Sequence, residues 1–414
     1  MSNRFRWVSV GFLAVVVGGG VYARAEEEQK QTNWPLVIAE LRHDVQSKPG
    51  LAFPRQQLAI ALNNYGVTLS EEGQWGLAKE QLTEALKLDA TNKQFSKNLA
   101  GVYLSEAYHE REALRNKEAR AALEQAIALD PELARAYVLL GDIEYDSQQL
   151  AKAKTAWQNA VALDPTLTAL AERLKQLNQE LPVESKFERL PQAYFDLRYE
   201  EQLQGPVGFD IRDTLLEARS RVGSDFAYWP KYKIVVLIYG DESFRILRKE
   251  TPDWVGGQYD GKIRVPLPGA QTDAATVKQI LFHEYTHALV HELARGKCPV
   301  WFNEGLAEYE GMKHGHRRLE QLTAAAAHNR LIAWEQLDEQ FSASLPFDQV
   351  ALGYQESSSV IHYLVERYGF WRIRRILTAL ADGGTLSDVL DQEFHLKPGR
   401  LEAAWREWLP NFIR

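Results

Sequence analysis

Apolar and small residues return at helical spacing through the first half of the chain. Leu62, Tyr65 and Gly66 are followed by Ala78, Leu82 and Ala85, and the set recurs as Tyr137, Leu140 and Gly141, then Ala153, Trp157 and Ala160. Each set closes on Ala-x-x-Leu-Asp, which occurs at Ala85 to Asp89, Ala126 to Asp130 and Ala160 to Asp164, spaced by 41 and 34 residues. A fixed period of this size predicts stacked helix pairs, with Gly and Ala letting paired helices approach and Tyr, Trp and Leu filling the gap between pairs. In the middle copy Ala119, Leu123, Ala126 and Pro131 fit the second helix, and extra residues near Tyr108 to Asn116 lengthen the preceding helix or loop.

The pattern changes at Leu181-Pro182 and again at Pro191, which places a boundary near 183. Beyond it the sequence predicts a strand around Tyr194 to Tyr199, a helix over 209–222 and a buried strand from Ile234 to Tyr239. A Gly-rich hairpin, Gly256-Gly257-Gln258-Tyr259-Asp260-Gly261, then leads into Ile263 to Pro266. From Thr272 onward nearly everything reads as helix, and strands first with helices after is the α+β order.

In the last copy Tyr137, Leu140, Gly141, Ala153, Trp157, Ala160 and Pro165 stand at the consensus offsets of the tetratricopeptide repeat. The segment 51–180 resembles tetratricopeptide repeats, with 167–180 as a capping helix. That resemblance implies an α-helical solenoid with a groove for a partner protein. A packing scaffold or spacer for the second half is the other reading.

Composition narrows the classes. Hydrophobic and charged fractions of 45% and 25% are globular averages, which exclude wholesale disorder and a polytopic membrane protein. The net charge of −8, with no basic block interleaved with aromatics, excludes a nucleic-acid surface. Arg4 and Arg6, an apolar stretch from Trp7 to Tyr22 and Ala23-Arg24-Ala25 read as a signal peptide, or as an uncleaved N-terminal anchor. Export to a periplasm or the cell exterior is expected, with a membrane partner only if the leader is retained. The lone Cys298 allows no intramolecular disulfide and reads as a packed small residue, or less simply as a metal ligand. The expected layout is a leader over 1–25, a helical segment over 26–50, repeats over 51–180, a linker over 181–191 and a second domain over 192–414.

The chemistry lies in that second domain. His283-Glu284-Tyr285-Thr286-His287 is an HExxH motif in a stretch whose Ile280, Leu281, Ala288, Leu289 and Leu293 form an apolar stripe. Residues four apart on a helix share a face, so both imidazoles can reach one ion while Glu284 is placed to take a proton from water. The pentapeptide alone arises in roughly one chain in a hundred, so it needs a third ligand. Glu304, in the helix-like run Trp301-Phe302-Asn303-Glu304-Gly305-Leu306-Ala307-Glu308-Tyr309, is the candidate. Two His and one carboxylate with an open position describe catalytic zinc, one Zn2+ per chain.

These residues resemble the gluzincin metallopeptidases, and more specifically the peptidase MA-like proteins, over roughly 190–410. The resemblance implies a thermolysin-like domain behind the solenoid. In it His283, His287 and Glu304 bind metal and Glu284 is general base and proton shuttle. It also implies that Glu308 orients a ligand histidine, the other reading being a solvated carboxylate, and that Tyr354 donates to the developing oxyanion, the other reading being a core tyrosine. Tyr354 reads as opening a helical run, Val360 to Arg367. The hairpin would be the edge strand that receives an extended substrate backbone.

The aminopeptidase pattern Gly-x-Met-Glu-Asn is absent, which favours an endopeptidase. Leu293 and Val290 occupy the positions where a third-His zincin needs His and Gly, and His291 reads as a surface or supporting residue. The function expected is an exported zinc metallopeptidase whose repeats recruit a protein substrate or partner. The alternative is a repeat-based interaction scaffold with an inactive peptidase-like domain, and a zinc hydrolase of non-peptide amides is a third reading.

Overall fold

The computed structural model describes residues 32–200, 206–247, 258–267, 273–315, 319–342 and 344–414. The expected leader, 1–25, lies outside them, as do Gly256 and Gly257 of the expected hairpin. The chain divides after Asn178 into two compact units.

The first unit is helical: α1 (Trp34–Ser47), α2 (Ala52–Glu71), α3 (Trp75–Leu88), α4 (Lys93–Glu112), α5 (Asn116–Leu129), α6 (Ala134–Asp146), α7 (Leu150–Leu163) and the start of α8 (Thr168–Glu184). Helices α2 and α3, α4 and α5, and α6 and α7 pack as pairs. Glycine decides two of these contacts. A Cβ on Gly66 would lie 2.6 Å from Leu82 Cγ, and one on Gly141 would lie 2.1 Å from the Trp157 ring. In the middle pair Ala107 and Leu123, both fully buried, share one core. The extra residues of the middle copy are helical, since α4 runs 20 residues against 13 for α6. The closing aspartates follow the helix ends and turn the chain: Asp89, Asp130 and Asp164 accept from the backbone N–H two residues on, at 3.2, 3.3 and 3.0 Å.

The second unit opens with the end of α8, then β1 (Glu188–Pro191), β2 (Phe195–Tyr199), α9 (Pro206–Phe226), β3 (Ile234–Gly240), α10 (Asp241–Leu247), β4 (Gln258–Tyr259) and β5 (Ile263–Leu267). The sheet order is β1-β2-β3-β5-β4, with β2, β3 and β5 parallel and the outer strands antiparallel. Helices follow: α11 (Ala274–Ala294), α12 (Val300–Met312), α13 (Glu320–Ala327), a 3-10 turn (Trp334–Phe341), α14 (Phe347–Tyr368), α15 (Trp371–Ala381), α16 (Leu386–Phe394) and α17 (Pro398–Phe412). Among the described residues no helix is long and apolar enough to cross a membrane.

Strand alternation divides the sheet between two cores. Val236, Ile238, Ile263 and Val265 join the large core with Phe282, Leu289 and Phe302 from the helices. Val235, Leu237 and Tyr239 face the other way, against Phe244 and Leu247 of α10 with Val183 and Phe187.

Two expectations need correction. Residues 181–191 are not a linker: 181–184 complete α8 through Pro182, and 188–191 form β1. Tertiary contacts outweigh the local breakers here, because Glu184 of α8 binds Tyr239 and Arg264, and Pro191 is tolerated on an edge strand. Tyr354 does not precede a helix beginning at 360. It lies inside α14, which starts after Pro346. Ser357 to Ser359 are buried within the same helix, and Ser359 Oγ donates to Glu356 O and accepts from Trp405 Nε1.

Candidate metal centre and active site

Helix α11 starts on Asp273, whose carboxylate accepts from the backbone N–H of Ala275 and Thr276 at 2.9 and 3.0 Å. It ends where Arg295 and Gly296 take positive φ and the Gly296 N–H returns to His291 O. The expected apolar stripe is wider than predicted: every residue from Glu284 to Val290 is buried, because α9, the sheet, α12 and α15 all pack against this helix. The HExxH motif therefore sits on a central helix, where its polar side chains have lost solvent.

Helix α12 brings the second set of residues across. Its Trp301 N–H is capped by Asp338 Oδ1 at 2.8 Å. Close approach depends on glycine at two points. A Cβ on Gly305 would come within 2.7 Å of Ser357 O on α14, and one on Gly311 within 3.1 Å of Gln279 O on α11. Buried Glu310, paired with Lys313 at 2.9 Å, helps fix the far end of α12, since Lys313 also reaches Asp225 on α9.

His283 and His287 face each other with Nε2 atoms 3.0 Å apart, and Glu304 Oε2 lies 3.4 Å from each. Ligands at about 2.1 Å around a tetrahedral zinc stand about 3.4 Å from one another, so the three atoms fit one ion. Donor atoms of His283, Glu284 and His287 also lie within 4.8 Å of one another. The opposite ring nitrogens are occupied from α12: His283 Nδ1 is 3.2 Å from Glu308 Oε1, and His287 Nδ1 is 3.0 Å from Asn303 Oδ1. Partners on Nδ1 leave Nε2 for a ligand role. Glu304 Oε2 and Glu284 Oε2 are buried without a hydrogen-bond partner among the described residues. Orphaned carboxylate oxygens beside two converging imidazoles are what a cation would satisfy.

Without a cation the electrostatics are those of shared protons. Burial opposes charge on both imidazoles, yet the neighbouring carboxylates outweigh it and raise His283 and His287 above the usual histidine value, His283 the more strongly. Burial pushes Glu304 upward, but His287 and His283 draw its carboxyl far below the usual range. Burial keeps Glu284 raised in spite of the imidazoles, with Glu304 and Asp260 adding to the effect. Tyr354 approaches from α14 with its ring 6.5 Å from that of His283, and burial followed by Glu304 and Glu308 lifts its hydroxyl well above the phenol range.

The structure thus brings together His283, Glu284, His287, Glu304, Glu308 and Tyr354. Cys298 stands apart as a partly buried thiol packed on the core, its pKa raised by burial. His291 is exposed, its ring against Tyr259. Asn303 is a site residue that the HExxH spacing does not announce; the only signal for it is its place immediately before Glu304. Asp260 was likewise read only as a turn residue.

Residues 226–411 match the Peptidase MA superfamily. The matched segment includes all six converging residues, and the match points to a peptidase. Residues 134–167 match a tetratricopeptide repeat, and no curated protein matches the chain. Among solved structures, similar ones include the first TPR of Spaghetti (RPAP3) bound to the HSP90 peptide SRMEEVD, at 22% identity over 31% of this chain and 95% of that one, TM-score 0.23. The first TPR domain of the human RPAP3 protein is 21% identical over 31% and 94%, TM-score 0.23. A MamA RS-1 ArsTM double mutant is 26% identical over 36% and 77%, TM-score 0.23.

Proposed function

We propose that this protein is a zinc-dependent metallopeptidase of the gluzincin type, with a thermolysin-like arrangement of α11 and α12. The observation that carries the reading is the convergence of His283 Nε2, His287 Nε2 and Glu304 Oε2 at 3.0–3.4 Å, with the Glu304 oxygen buried and otherwise unpartnered. His283, His287 and Glu304 would hold the ion, with Glu308 and Asn303 fixing the two rings. Zinc held there acts as a Lewis acid that acidifies water and polarises an amide carbonyl.

The remaining work falls to side chains. Glu284, buried beside the two imidazoles with its Oε2 unpartnered among the described residues, accepts the proton of the attacking water at Oε2 and passes it to the leaving amine. The raised pKa of Tyr354 keeps its hydroxyl protonated, so it donates to the oxygen that gains charge. Among the described residues β4 is the outer strand of the sheet, and an extended peptide backbone would add there, which suits an endopeptidase. The repeats recruit a protein substrate or partner, and the leader exports the enzyme to the periplasm or cell exterior.

The test is cleavage of fluorescein-labelled casein by zinc-loaded protein and by Glu284→Gln. Loss of the base should lower kcat roughly 10²–10⁴-fold with zinc retained. Equal rates for both proteins would contradict the role of Glu284, and no cleavage by either would favour an interaction scaffold.

A further inference from the structure

Six ionisable side chains meet on the sheet face opposite the candidate site. Arg264 of β5, fully buried, donates from Nη1 to Glu184 Oε1 at 2.6 Å and to Tyr239 Oη, and its Nη2 lies 3.5 Å from Glu180 Oε1. Tyr239 Oη in turn donates to Glu184 Oε1 at 2.6 Å. Arg264 Nε reaches forward to Asp260 Oδ2 at 3.1 Å, across the β4–β5 turn. Lys262 is buried beside them at 1% exposure. Both glutamates lie on the part of α8 that belongs to the second unit.

Burying ions is expensive, and an apolar set of similar volume is often as stable or more so, so stability is a weak reason for such a network. Directed contacts do something packing cannot: they fix orientation. The guanidinium offers a planar fork whose Nη atoms are fixed by α8 and β3 and whose Nε holds Asp260. Strand β4 is only Gln258–Tyr259, and it pairs with β5 through Gln258↔Arg264 and Tyr259↔Ile263. So short a strand has little of its own to set its angle. Its Tyr259 ring packs on His291, one turn past His287, so the hairpin borders the candidate site.

We infer that Arg264, held by Glu180, Glu184 and Tyr239, is a positioning residue that sets the β4–β5 hairpin beside the candidate site in the orientation that receives substrate. It touches neither substrate nor metal and acts through Asp260 and the backbone of β5. The inference rests on the proposed peptidase reading for its consequence in substrate binding, but not for its consequence in the hairpin itself.

The experiment compares zinc-loaded wild type with two variants: an apolar replacement, Glu180→Leu/Glu184→Met/Lys262→Met/Arg264→Met, and Glu184→Gln, which keeps shape and removes one charge. Each is measured for zinc content, amide exchange over 258–264, and kcat and KM on fluorescein-labelled casein. The inference expects one zinc per chain throughout, exchange about tenfold faster in the apolar variant with a Tm equal to or above wild type, and a KM about tenfold higher with kcat within twofold. Glu184→Gln should shift exchange and KM in the same direction by about threefold. Unchanged hairpin exchange in Glu184→Gln and in any folded apolar variant would overturn it, as would a fall in Tm with KM unchanged. If wild type cleaves no casein, the peptidase reading fails and the exchange comparison alone decides the positioning role.

Discussion

Glu144 in the repeats and Glu304 in the second unit are both glutamates set into packed helices, and their surroundings answer the charge differently. Glu144 meets the guanidinium of Arg120 at 2.5 Å, a cation that the fold itself supplies. Glu304 meets two imidazoles, which are cations only while they carry protons. Arg keeps its charge across the ordinary pH range, so the first environment carries a permanent cation. The second needs either protons or a metal, and that dependence is what marks it as a site rather than a packing detail. The repeats should therefore respond to changes in volume, and the second unit to changes in charge and metal.

The largest effect expected after loss of Glu284 is at Tyr354. Tyr354→Phe removes one hydroxyl and should lower kcat roughly 10²-fold, with KM and zinc content little changed, as steady-state kinetics and elemental analysis would show. A variant with wild-type kcat would make Tyr354 a core residue only. In the repeats, Gly141→Val forces a side chain into the Trp157 ring and should cost about 3 kcal/mol in chemical denaturation, leaving zinc content untouched. Zinc loss in that variant would erase the contrast between the units.

The smallest effect concerns pH. In metal-free protein the raised His283 and His287 contribute stability that is complete below the ordinary histidine value and disappears as pH rises through their folded values. The lowered Glu304 contributes above the ordinary carboxyl value and loses that contribution only as pH falls through its folded value. Zinc must displace the histidine protons, so its binding strengthens as pH rises. The Tm gained on adding zinc should accordingly be greater at pH 8 than at pH 6, and a scanning-calorimetry series showing the reverse order would contradict this proton-linked picture.

Much of the repeat packing was legible because its contacts are local and periodic: Gly141 meets Trp157 sixteen positions on, and Gly66 meets Leu82 at the same interval. Individual strands in the second unit were readable for the same reason, since Ile234 to Tyr239 is apolar on both faces. The HExxH spacing places its imidazoles by helix geometry alone. What could not be read depends on distant partners. Pro182 looked like a break until Arg264, 80 positions beyond Glu184, held the end of α8 in place. The start of α14 after Pro346 could not be read because nothing local announces the close approach of α12 at Gly305 to Ser357 O. Asn303 and Asp260 acquire their roles from side chains on other elements.

Zinc stoichiometry tests the central claim most directly. Purified wild type and Glu304→Ala, each dialysed after zinc loading, would be compared by elemental analysis. The account predicts close to one zinc per chain for wild type and loss of most of it in the variant, with both proteins folded by circular dichroism. Wild type that stays metal-free, or a variant that keeps its zinc, would contradict it.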